Sequence, residues 1–429
     1  MTELARSRVL DFLFYGYIPM IPEDASAQAW HNVPVEPKIQ KLPDHEIRRM
    51  AFEAFEASTR PSAASVNVVH LSGGNDSRAI LAALLEHGGP SSVIAVTYGT
   101  PGTYDYEIPR VITKRAGVEH VRIDLSKVEL TTGDLVRVAD NLPRPIWLFG
   151  PWANRLVTDR FGQGSTYWSG YLGGPVTGSH QPQAEVAASW REALEMHAKR
   201  PGFGGASKLF PPSYSARNAL PQEDYSFTSP LTLDEQVDFL LRQHAWIYQE
   251  HAVPGYCYRF PFCDPGVLTV FLNAGRTRRR GQQLYLSMLE ERYPRLFRDL
   301  PHKDHMGLRP SAGPISRQAR LYQLRGRRGL ARILGRWGMF PGLGTNHLDW
   351  NQVFRRRADF AELAQELLPN LRKRRVTESI DPVLVYADHR AGRSDNGLFL
   401  TQLISLETWL ESGRGGAFGV ECGDVAGNG

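Results

Sequence analysis

Cysteine is scarce in this chain: Cys257, Cys263 and Cys422 are the three in 429 residues, and they share no metal-ligand spacing. A sparse, odd set of thiols excludes a disulfide framework and a zinc module, so they read as small buried hydrophobes or idle thiols. Long apolar runs are missing too. No stretch reaches the roughly 18 residues that cross a bilayer, and the first residues lack the basic, apolar and small-residue order of a secretory leader. A cytoplasmic location is the expectation. Compositional extremes are absent as well: 42% hydrophobic and 22% charged residues describe an ordinary globular protein, long enough for two subdomains. No internal repeat is visible.

Negative charge is lacking in one place. Arg317, Arg320, Arg325, Arg327, Arg328, Arg332 and Arg336 crowd a short stretch of a chain whose net charge is only +5. It reads either as a solvated charged face or as a basic helix facing an acidic partner. No aromatic stacking motif is interleaved with it, so nucleic acid is not the expected partner.

Residues 66–80 read VNVVHLSGGNDSRAI, an apolar β-branched run that stops at Ser72-Gly73-Gly74-Asn75-Asp76-Ser77 and passes straight into a helical pattern. Gly73 and Gly74 allow a tight turn and close approach of backbone N–H groups to an anion, and Ser72 and Ser77 add hydroxyls. The next helix begins near Asp76 and Ser77, with Ile80, Leu81, Leu84 and Leu85 on one face, and its N-terminus favours negative charge. Together these predict a phosphate cradle. It is not a Walker A loop, because Asp76-Ser77-Arg78 stands where Gly-Lys-Ser/Thr would be required. The segment resembles the PP-loop of the ATP pyrophosphatase superfamily, whose members cleave ATP between the α and β phosphates.

A second strand pattern, Ser92 to Tyr98, precedes Gly99 and the Pro101-Gly102 turn. A helix from about Tyr104 to Ala116 should stop at Gly117, and His120 to Leu125 reads as a third strand. Strands alternating with helices predict an α/β fold with a parallel sheet covered on both faces, and ligands at the strands' carboxyl ends. Adenine and ribose would then cross the second strand near Tyr98 and Gly99. Thr166-Tyr167-Trp168 leads into a second glycine-rich loop, Ser169 to Pro175. Gln181 to Ala216 shows no sustained pattern and reads as a long mobile segment, helical patterns resume from Leu233 to Tyr248, and the last dozen residues read as a disordered tail.

Four segments in this order resemble the synthetase domain of the asparagine synthetase family: Ser72 to Ser77, Tyr98 to Glu107, Ser169 to Gly178, and Arg259 to Asp264 followed by Leu300-Pro301-His302-Lys303. The resemblance spans roughly Leu10 to Pro310. It implies a boundary scheme of 1–48 as a remnant linker, 49–310 as the PP-loop synthetase domain, 311–415 as a helical C-terminal extension and 416–429 as a tail. Phe12 to Pro19 resembles the segment that joins glutaminase to synthetase in that family, so the glutaminase domain is expected to be missing, and the nitrogen to come from a substrate amine, from free ammonia or from a separate glutaminase or carrier partner.

The resemblance implies ATP and Mg²⁺ as the cofactors, with Ser72, Gly73, Gly74, Asp76, Ser77, Tyr98, Gly99 and Gly170 around the nucleotide and Asp76 as the metal ligand. Tyr171 stands where β-lactam and carbapenam synthetases carry a tyrosine that, with a downstream glutamate, deprotonates the attacking nitrogen. Glu185, Glu192 and Glu195 are the glutamates at hand, none in a recognisable frame. Lys303 falls where the family places a lysine on the phosphates. One position departs: the second metal-binding aspartate is Gly174 here. The implied activity is an AMP-forming carbon–nitrogen ligase joining a small-molecule or peptide carboxylate to an amine. The alternatives are a catalytically impaired nucleotide-binding protein with a protein partner, and a tRNA-modifying PP-loop enzyme. Asp264, followed by Pro265, is expected to cap a helix rather than perform chemistry.

Overall fold

The β-branched run ahead of the first glycine pair forms strand β1 (Val66–His70), and β2 (Val93–Gly99), β3 (Glu119–Asp124), β4 (Ser165–Trp168) and β5 (Cys257–Arg259) follow. In the computed structural model, which describes residues 3–61, 66–181, 186–200, 209–310, 312–334, 347–377 and 380–418, these strands make one sheet in the order β3-β2-β1-β4-β5. Every pairing is parallel. Alternate residues face opposite sides: Val69, Ala95 and Trp168 join the main core with Ile80, Leu81 and Leu84 of the Asp76–Gly88 helix, while Val68, Val96 and Tyr167 pack on Val157 of the Phe149–Phe161 helix. The expected α/β class with a doubly covered parallel sheet is present.

The strand order also fixes where a ligand can lie. From β1 the chain steps outward to β2 and β3, then returns to β4 on the other flank of β1 and continues to β5. The reversal between β1 and β4 is a topological switch point, and a crevice opens there at the carboxyl ends of the strands. The Ser72 loop leaves β1 and the Ser169 loop leaves β4, so both glycine-rich segments border one crevice.

Several local expectations hold for physical reasons. The Tyr104–Ala116 helix ends at Gly117, which takes the left-handed conformation, and Asp264 caps the Pro265–Asn273 helix by accepting from the Gly266 and Val267 N–H groups. Others need correction. The stretch 181–216, read as unpatterned, contains a helix at Trp190–Ala198: Ser189 caps it by accepting from Glu192 N–H, and Trp190, Ala193, Leu194 and His197 recur at helical spacing and are buried. Residues 182–185, with Glu185, and 201–208 lie outside the described residues. Leu233 to Tyr248 is helical but not uniformly so, because Asp238–Ile247 winds as a π-helix. The tail is packed at its start, where Phe418 meets Phe12 edge-on at 5.5 Å; residues 419–429, with Cys422, are outside the description. Cys257 is exposed and Cys263 half-buried, so neither is a fully buried hydrophobe.

The segments on either side of the sheet region share its core. One apolar cluster runs from Val9 through the sheet to Leu410 and Phe418. Trp147 N–H donates to Gly16 O at 2.7 Å, the Trp147 indole donates to Thr401 Oγ1 at 2.8 Å, and the Trp409 indole to Ile146 O at 3.0 Å. The Gly397–Glu411 helix is therefore clamped to the turn that launches the Phe149–Phe161 helix.

Candidate functional site

A cavity of about 560 Å³ fills the switch-point crevice, bordered by the Ser72 loop, the Ser169–Pro175 loop, Lys303, the π-helix and His347. Of the expected site residues, Ser72, Gly74, Asp76, Ser77, Tyr98, Gly170, Tyr171 and Lys303 line it, whereas Gly73 and Gly99 do not.

One end of the cavity is built from the Ser72 loop and the first turn of the Asp76–Gly88 helix. Ser77 Oγ accepts from Ser72 N–H at 3.1 Å, and Ser72 Oγ accepts from Gly74 N–H at 3.3 Å, so the hydroxyls shape the loop from within. The helix N-terminus, with Asn75, Asp76 and Ser77, opens on the cavity and carries partial positive charge. Lys303 arrives from a distant part of the chain. Its N–H reaches Gly73 O at 3.4 Å, and a Cβ added to Gly74 would stand 3.7 Å from its Nζ. Arg78 explains how that segment is held. This fully buried arginine donates to Leu296 O at 3.1 Å and to Pro301 O at 2.7 Å, and burial lowers its pKa to about 10. The helix that begins in the loop thus grips the strand of chain that delivers Lys303.

Sequence reasoning missed Asp105. Its Oδ1 accepts from Gly73 N–H at 2.9 Å and lies 3.4 Å from Lys303 Nζ. A carboxylate of the chain therefore engages two donors suited to a phosphate. Its position in the first turn after β2, at the same sheet edge as the Ser72 loop, was the available signal.

Asp76 is held against the second loop. A Cβ at Gly173 would stand 2.4 Å from Asp76 Cγ, and one at Gly170 would stand 2.8 Å from Asp76 Cβ, so both positions demand glycine. Asp76 Oδ1 is buried with no hydrogen-bond partner. Burial raises its pKa to about 6 from an ordinary 3.8, against the opposing pull of the adjacent Tyr285 phenol and of Lys303 and His180. A carboxylate with an unpartnered oxygen, on a residue that lines the cavity, is a chemically suitable cation ligand once that oxygen is brought to the opening. Gly174 offers nothing comparable: a Cβ there would meet Ser179 Oγ at 2.6 Å and His180 Nε2 at 3.4 Å, so the place of a second carboxylate is taken by a serine and an imidazole. Among the described residues no group of three or more His, Cys, Asp or Glu side chains is arranged to hold a metal.

The other end of the cavity is closed and aromatic. Tyr171 is buried, and its phenol donates to Gln243 O on the π-helix at 2.9 Å. Burial pushes its pKa well above 10. The hydroxyl donates to a backbone carbonyl, and no cation or carboxylate lowers its pKa, which is the condition that a proton-accepting role for this tyrosine would need. The candidate glutamates do not assist it, since Glu192 accepts from Ala188 N–H at its own helix start and Glu195 pairs with Arg191 at the surface. Three half-buried imidazoles also line the cavity. His70 follows the apolar run of β1, His251 lies 3.1 Å from Ser169 Oγ, and His347 stacks on Tyr98 at 5.7 Å with rings 5° from parallel. Burial lowers their pKa values to about 3, 4 and 4, so all are neutral at physiological pH. His70 Nε2 and His347 Nδ1 are buried without a partner. Compared with known proteins, the chain matches no family model and no curated sequence.

Proposed function

We propose that this chain is an ATP-dependent, amide-forming ligase. The observation that carries the reading is the convergence of the Ser72 loop, a helix N-terminus and Lys303 on one cavity at the sheet's switch point. Ser72, Gly74 and Ser77 would hold the β and γ phosphates, and Lys303 would meet charge that develops on the leaving pyrophosphate, where a fixed cation is most effective. Asp76 would hold Mg²⁺ accompanying ATP, and that ion supplies charge neutralisation on the phosphates. A substrate carboxylate oxygen bonds to the α-phosphorus as the α–β phosphoanhydride bond breaks and pyrophosphate departs. An amine or ammonia nitrogen then bonds to the acyl carbon, AMP leaves with the former carboxylate oxygen, and the nitrogen loses a proton. Tyr98 and His347 form an aromatic wall for the nucleoside, while Tyr171 fixes the cavity through Gln243 rather than taking that proton.

A second reading has its own support. Gly174 and the serine and imidazole beside it leave one buried carboxylate where adenylation ordinarily uses two, which suits a protein that binds nucleotide without cleaving it. Pyrophosphate release separates the two. With ATP, Mg²⁺ and a panel of carboxylates and amines, a ligase forms pyrophosphate and AMP in equal amounts; binding of ATP with no pyrophosphate from any pair would overturn the ligase reading in favour of the second.

A further inference from the structure

We infer that the Pro314–Leu334 helix is a docking element for anionic lipid surfaces. Its sequence, PISRQARLYQLRGRRGLARIL, carries six arginines and no acidic residue. Between residues 312 and 326 nearly every side chain from Gly313 onward is exposed; Arg320 and Leu324, one turn apart, are the half-buried pair within the helix and mark the side toward the body. Arg320 fixes that side by donating to Met306 O at 3.0 Å. At 3.6 residues per turn, Ile315, Ala319 and Tyr322 fall on one stripe nearly opposite that pair.

A surface helix normally turns its apolar stripe toward the core. Here the stripe faces outward, with Ile315 86% and Tyr322 62% exposed. Arg325 borders it on one side and is exposed, whereas Arg317, also exposed, lies round the helix near Leu324 and donates to Pro310 O at 3.0 Å. An outward apolar stripe with an aromatic, on a helix whose charged residues are all arginines, is the pattern of a helix that lies in the headgroup layer, its apolar side sunk toward the acyl chains and its arginines on lipid phosphates. No described helix is long and apolar enough to cross a membrane, this one included, so it would lie on the surface. Nucleic acid would use the arginines but leave Ile315 exposed to water, which favours lipid.

The test is co-sedimentation of the full chain with phosphatidylcholine vesicles, with or without phosphatidylglycerol. Binding should favour the anionic vesicles by about tenfold or more, since each basic residue near such a surface adds substantially. Arg317→Glu/Arg325→Glu should abolish that preference, and Ile315→Asp/Tyr322→Asp should lower binding about tenfold or more; unchanged circular dichroism and melting would show that both variants fold. Equal sedimentation with both vesicle types would overturn the proposal. So would binding insensitive to Ile315→Asp/Tyr322→Asp, or a salt-sensitive affinity for single-stranded RNA without lipid binding.

Discussion

The two ends of the switch-point cavity are built on different principles. At the Ser72-loop end, charged groups meet one another: Asp105 accepts from Gly73 N–H and lies near Lys303, and Asp76 has a buried oxygen without a hydrogen-bond partner. At the other end the groups are uncharged, with the Tyr171 phenol on a carbonyl and the imidazoles neutral. The contrast teaches that glycine-rich loops of similar appearance can serve opposite purposes. The Ser72 loop ties its own N–H groups to Ser77, Asp105 and Ser72 side chains and leads into a helix N-terminus that opens on the cavity, whereas the Ser169 loop uses Gly170 and Gly173 to let Asp76 pack closely.

The largest effect on folding is expected from Arg78→Ala, which leaves two buried carbonyls without their donor and loosens the Lys303 segment. It should cost about 2–4 kcal/mol, read as a lowered denaturation midpoint, whereas an unchanged midpoint would mean that the grip is dispensable.

Asp76→Asn should act in the opposite direction on stability. Because the folded pKa is raised to about 6 from 3.8, the folded chain binds the proton more tightly than the unfolded chain. The destabilisation is absent below about pH 4, builds between pH 4 and 6, and is complete above that. The variant should therefore melt higher than the parent at pH 7.5, by about 1–3 kcal/mol of added stability, with the gap closing as pH falls toward 4, and it should lose pyrophosphate release. A variant less stable at pH 7.5 would contradict the reading that burial of the Asp76 carboxylate outweighs the pull of Tyr285, Lys303 and His180.

Smaller effects are expected from two further changes. Tyr171→Phe removes one buried hydrogen bond and should cost about 1 kcal/mol of stability while leaving the pH dependence of turnover unchanged; a shifted profile would restore the tyrosine as a proton acceptor. Asp105→Asn removes a negative charge beside the phosphate donors and should tighten ATP binding several-fold, as read by calorimetry. Weaker binding would show that Asp105 instead orients Lys303 for the nucleotide.

Much of the first end was legible because its information is local. Strand, glycine turn and helix start are contiguous from Val66 to Ser77, and period and turn chemistry report them directly. Lys303 was reachable only through resemblance, and its delivery depends on Arg78, whose burial no local pattern reveals. The second end was not legible because its chemistry depends on distant packing. Nothing near Tyr171 indicates that a π-helical carbonyl from Gln243 will meet its hydroxyl, and His347 comes to Tyr98 from the C-terminal helical part. β5 went unread since three residues are too few to show a period.

The central claim is that the Ser72 loop and Lys303 form one site for the phosphates of ATP, and titration calorimetry tests it without knowledge of the acid or amine. Mg·ATP should bind the wild-type chain, pyrophosphate should compete with it, and Lys303→Ala should weaken binding by about tenfold or more, as expected for loss of a charge-assisted contact. Failure of ATP to bind, or equal affinity in Lys303→Ala, would contradict the account.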